Sequence, residues 1–95
     1  MLKNENFWNE ICGTVPFRKL GLKKITPYSL EVFDKWYFNH YPYLKKYFSE
    51  DTLKDKSVLE IGLGFGSVGE YLALNSKEYT GVDLANNPVK LMQER

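Results

Sequence analysis

Cysteine occurs once in the 95 residues, as Cys12, and histidine once, as His40. A single thiol cannot close an intramolecular disulfide and suits a reducing compartment. No base can be assigned beside Cys12 and no carboxylate partner to His40, so both read as packing residues rather than as nucleophile and general base. An excess of one charge is also lacking. Thirteen Lys and Arg against 12 Asp and Glu leave a formal +1, which gives no global attraction to nucleic acid or to an anionic membrane. No apolar run approaches the ~20 residues of a membrane span. Met1-Leu2-Lys3-Asn4-Glu5-Asn6 carries an early acid and no apolar signal core. There is no internal repeat and no low-complexity tract. The chain is therefore expected in the cytoplasm, with no membrane, nucleic-acid or metal partner.

What is present is a globular composition, 43% hydrophobic and 16% aromatic, organised around one stretch. Val58-Leu59-Glu60-Ile61-Gly62-Leu63-Gly64-Phe65-Gly66-Ser67-Val68-Gly69 reads as a short buried strand, three glycines at alternate positions, then a helix. Glycines there let the chain turn sharply and let a ligand approach the main chain. The free N–H groups of the following helix favour a carboxylate or phosphate. Two registers fit. Gly64 to Gly69 satisfies the dinucleotide pattern G-x-G-x-x-G, with Asp83 following Gly64 by 19 positions, near the usual ~20. That register leaves Glu60 in mid-strand, at a cost of several kcal/mol unless paired. If Gly62 is the first turn glycine, the strand ends at Glu60 or Ile61 and the carboxylate opens onto the crevice above the sheet. A ligand with an ammonium, a carboxylate and a ribose then suits Glu60, the glycine-loop amides and Asp83, and S-adenosylmethionine is one.

Glu60-Ile61-Gly62-Leu63-Gly64-Phe65-Gly66 resembles the E/D-x-G-x-G-x-G motif of class I S-adenosylmethionine-dependent methyltransferases. Tyr79-Thr80-Gly81-Val82-Asp83-Leu84 is similar to their second strand with its ribose-binding acid. Phe7-Trp8-Asn9-Glu10-Ile11-Cys12-Gly13 resembles the F-W-N-x-x-C-G start of a bacterial subgroup of that family. The resemblance implies an α/β, Rossmann-like methyltransferase fold with S-adenosylmethionine as cofactor. It implies cofactor contacts from Glu60, Gly62, Leu63, Gly64, Gly66, Asp83 and Leu84, with the methionyl carboxylate at the helix start near Gly66 and Ser67. The acceptor, expected to be a small molecule rather than protein or RNA, is met in the family by loops after later strands, so no catalytic residue is assigned here. A nicotinamide-dependent oxidoreductase is the first alternative, and an aminopropyltransferase shares the scaffold. A non-catalytic chain that associates through an open sheet edge is another class.

The length allows about two strands of such a sheet. The expected organisation is a helical amino-terminal segment, residues 1–52, then the start of the Rossmann-like domain, residues 53–95, as the amino-terminal part of a truncated enzyme. With one strand edge bare, the chain is expected to be weakly stable or to self-associate.

Leu2, Phe7, Trp8 and Ile11 give a loose helical face, either a lid or an aromatic staple. Residues 15–25 are expected to be irregular, with Pro16 and Gly21 as breakers and Arg18, Lys19, Lys23 and Lys24 as a basic cluster. That cluster is a solvated face or a phosphate contact. A helix follows, with Thr26 or Ser29 as cap and Leu30, Phe33, Trp36 or Tyr37, and His40 or Tyr41 on its apolar face. Pro42 ends it, and residues 42–48 form a further helix with Leu44, Tyr47 and Phe48 inward. Such helices cover the sheet in the family, so Tyr37, His40, Tyr41 and Tyr43 either touch ligand or pack. Residues 49–57 read as a solvated linker. Val68, Tyr71 and Leu72 give the crossover helix its buried stripe, and Val89 and Met92 are the apolar pair of the last helix.

Overall fold

The computed structural model describes residues 14–95. The face made by Leu2, Phe7, Trp8 and Ile11, and Cys12 with it, lies outside them. The described residues form a mixed α/β unit: α1 (Thr14–Lys19), α2 (Pro27–His40), α3 (Leu44–Tyr47), α4 (Glu50–Leu53), β1 (Ser57–Ile61), α5 (Ser67–Asn75), β2 (Glu78–Val82) and α6 (Asn86–Glu94).

Helix α1 falls where irregular chain is expected. Pro16 is its third residue, where an N–H has no intrahelical acceptor to lose, so the proline costs nothing. Gly21 does break the chain: at φ +80° its N–H donates to the Arg18 carbonyl at 2.9 Å and ends the helix. Before α2, the two candidate caps act together. Thr26 Oγ1 accepts from the Ser29 N–H at 3.0 Å, and Ser29 Oγ accepts from the Thr26 N–H at 2.8 Å. With Pro27 at the first helical position, this is a complete capping box. Helix α2 ends at His40, as Pro42 requires.

Two readings of the next segment are corrected. Helix α3 is a single turn, too short to present a face, and Tyr47 is 72% exposed and Phe48 exposed beside a half-buried Leu44. The supposed linker contains α4, capped by Ser49 Oγ accepting from the Thr52 N–H at 3.3 Å, which buries Leu53.

Strands β1 and β2 are parallel, with Ser57 opposite Glu78 and Glu60 opposite Gly81. The two-residue alternation of a strand sorts their side chains. Val58, Glu60, Tyr79 and Gly81 lie on the partly buried face, towards Gly69 of α5 and Met92 of α6. Leu59 (62% exposed), Ile61 (79%) and Val82 lie on the other face, which the described residues leave bare. The resemblance implies amino-terminal helices over the sheet. Here they pack on the glycine turn instead: Phe65 stacks on Phe17 of α1 at 4.8 Å and meets Phe33 of α2 at 5.0 Å, and α2 lies against α5. Aromatic rings this close add about 0.5–1.5 kcal/mol per pair beyond burial.

Candidate functional site

Strand β1 runs directly into the turn. Gly62 (φ +86°), Gly64 (+56°) and Gly66 (+87°) are all left-handed, a conformation that side-chain-bearing residues enter only with strain. A Cβ on Gly62 would meet nothing within 4 Å, so its backbone is open to a ligand. Gly66 differs. It is buried, and a Cβ there would lie 2.6 Å from Arg95 Nε and 2.7 Å from Met92 Sδ.

Asp83 stands just past β2 and ties the two loops together. Its Oδ2 accepts from the Leu63 N–H at 2.7 Å and its Oδ1 from the Ala85 N–H at 2.9 Å. A carboxylate has about four acceptor directions, so both oxygens retain one for ligand hydroxyls. Leu84 beside it is 61% exposed, whereas Leu63 is buried.

Glu60 is less exposed than expected. Its carboxylate is half-buried between the sheet and α5, because residue 60 belongs to the helix-covered face of β1. The missing Cβ of Gly69 makes the room: one built there would come within 2.8 Å of Glu60 Oε1 and 2.7 Å of Tyr79 Oη. Tyr79 Oη donates to Oε1 at 2.6 Å. Desolvation raises the Glu60 pKa above the ordinary 4.5; the Tyr79 hydrogen bond opposes this, and the negative charge of Asp83 adds to it. Desolvation, then the bond to Glu60, pushes the Tyr79 phenol up as well.

A raised carboxyl pKa has a definite sign in stability. The folded state holds its proton longer than the unfolded state, so the stability linked to Glu60 is full below about pH 4.5 and falls as pH rises through the folded pKa. Tyr79→Phe removes the one opposing contact. It is expected to move the Glu60 titration, followed by carboxyl carbon NMR, further upward and to carry the stability loss to higher pH. A downward move would show that the phenol does not stabilise the carboxylate.

The largest polar network was not among the expected site residues. Arg95 has a side chain only 2% exposed. Its Nη1 donates to Asp34 Oδ2 at 2.9 Å and to Glu70 Oε2 at 2.6 Å, its Nη2 to Asp34 Oδ1 at 2.9 Å, and its Nε to the Phe65 carbonyl at 2.8 Å. Ser67 Oγ donates to Asp34 Oδ1 at 2.6 Å. At the start of α5, expected to receive a ligand carboxylate, the Ser67 hydroxyl is thus already engaged by Asp34. One signal was available in the sequence: Asp34 follows Leu30 and Phe33 by four and one positions, an acid beside an apolar helix face, and such an acid needs a partner. Which of 13 cations supplies it is not written in the pattern.

The tyrosines assigned to ligand or packing engage one another: Tyr37 meets Tyr41 at 4.9 Å, Tyr41 meets Tyr43 at 6.5 Å, and His40 stacks on Trp36 at 5.2 Å. Among the described residues no three His, Cys, Asp or Glu are grouped to hold a metal, and no helix is long and apolar enough to cross a membrane. Comparison of the chain with protein-family models, with curated proteins and with solved structures found no match in any of the three.

Proposed function

We propose that the chain is the S-adenosylmethionine-binding part of a methyltransferase of Rossmann-like fold, acting on a small-molecule acceptor. The observation that carries this reading is a pair of carboxylates, Glu60 and Asp83, at the carboxyl ends of adjacent parallel strands beside left-handed glycines. Both are partly buried, and no cation forms an ion pair with either among the described residues. Their charges oppose each other at Glu60. A ligand bringing an ammonium and a sulfonium relieves that opposition, and the free lone pairs of Asp83 take ribose hydroxyls. The open backbone at Gly62 admits the ligand, and exposed Leu84 offers an apolar surface for adenine.

The same charges weigh against a nicotinamide dinucleotide. Its pyrophosphate belongs at the start of the crossover helix, beside Glu60 and Asp83, neither of which forms an ion pair among the described residues. Like charges there disfavour it. Methyl transfer from a sulfonium requires chiefly an aligned nucleophile and exclusion of water, so the role given to these residues is binding and orientation, not proton transfer.

Calorimetric titration of the chain with S-adenosylmethionine, S-adenosylhomocysteine and NAD tests the proposal. Saturable binding of the first two and none of NAD is expected, with Glu60→Gln weakening S-adenosylmethionine about tenfold, roughly 1.4 kcal/mol for a charge-assisted contact. Preference for NAD, or no loss in Glu60→Gln, would overturn it.

A further inference from the structure

A second concave site adjoins the glycine turn. Between α1 and the segment that follows it lies a groove of about 490 Å³, within the range of small-molecule sites. Phe17 and Phe65, stacked in nearly parallel planes 10° apart, form an apolar wall, and Leu22 and Ile25 extend it. Among the described residues the charged side chains lining it are Arg18 and Lys23, and no acid lines it. Neither forms an ion pair among the described residues. Residues 11–30 hold four of the chain's 13 cations and none of its 12 acids, so this stretch of sequence is basic although the whole chain is close to neutral. Arg18 sits in the last turn of α1, where the helix end itself favours a cation. Lys23 lies beyond the helix and the left-handed Gly21, where no helix end asks for one.

We infer that this groove binds a small anionic molecule with a flat apolar body, an aromatic carboxylate or phosphate, held by Arg18 and Lys23 against the Phe17–Phe65 wall. Arg18 offers a planar fork suited to two oxygens, and Lys23 a point charge. The groove shares Phe65 with the glycine turn proposed to hold the cofactor. That makes the groove the acceptor site, an assignment that rests on the methyltransferase reading, whereas the anion site itself does not.

The probes are benzoate, phenyl phosphate and benzylamine, titrated into the cofactor-free chain while the ring resonances of Phe17 and Phe65 are followed by NMR. The two anions are expected to shift both rings saturably and benzylamine to leave them unmoved. Arg18→Gln/Lys23→Gln, both exposed positions, is expected to weaken the anions at least tenfold and S-adenosylhomocysteine less than twofold. Lys54→Gln/Lys56→Gln, outside the groove, serves as the charge-matched control and is expected to change neither. Equal weakening by the control, binding of benzylamine, or anion affinity unchanged in the groove variant would each overturn the inference. The probe arm contains no cofactor, so its failure is distinct from failure of the cofactor reading.

Discussion

Arg95→Ala is expected to lower stability by about 3 kcal/mol, the lower end of the cost of breaking a buried ion pair by removing one partner. The lower end applies because Asp34 and Glu70 retain some contact with water, at 23% and 36% side-chain exposure, while the guanidinium itself is at 2%. Four donor bonds go at once, including the one to the Phe65 carbonyl in the glycine turn. At roughly 4–8 °C per kcal/mol for a domain of this size, the melting midpoint is expected to fall by more than 10 °C in a thermal scan. Arg95→Lys keeps the charge but not the fork geometry, so its midpoint is expected between those of the parent and the alanine variant. Removing Asp34 as well, in Asp34→Ala/Arg95→Ala, takes away the carboxylate most exposed to the loss. The double variant is expected to be less destabilised than the sum of the singles. An Arg95→Ala chain that melts within about 4 °C of the parent, the shift for 1 kcal/mol, would mean that the network contributes little beyond its own desolvation.

Gly66→Ala is expected to be nearly as costly, for two separable reasons. At φ +87° an alanine carries about 1–2 kcal/mol of left-handed strain. Its methyl group would also fall 2.6 Å from Arg95 Nε and 2.7 Å from Met92 Sδ, and overpacking of this kind costs about 1–3 kcal/mol. Gly62→Ala isolates the first term, because the backbone is left-handed there as well but the space beyond it is open. The difference between the two variants in urea titrations therefore measures the packing of Arg95 and Met92 on the turn. Equal destabilisation of the two would show that those side chains move aside at no cost.

Local order was largely legible before the fold was known. Thr26-Pro27 announced the start of α2 because the cap, the proline and Ser29 all act within one turn. Pro42 announced its end for the same local reason. The apolar run into Gly62, Gly64 and Gly66, and the second run into Asp83, placed both strands to within a residue. Short helices were not legible. Helix α1 was hidden by Pro16, harmless in a first turn, and α4 by the charge of Glu50 and Asp51, which favours a helix start as readily as a solvated linker.

The sequence by itself determined that a parallel strand–helix–strand unit exists, where its glycines turn, and that Glu60 and Asp83 stand near the carboxyl ends of its two strands, since these follow from neighbours a few residues apart. Only the tertiary structure decided which face of β1 carries Glu60 and that Tyr79 and the gap at Gly69 receive it. Only it decided that Arg95 reaches across 61 positions to Asp34. Backbone preferences act over one or two turns of chain, whereas the pairing of a buried charge depends on which distant side chain arrives beside it.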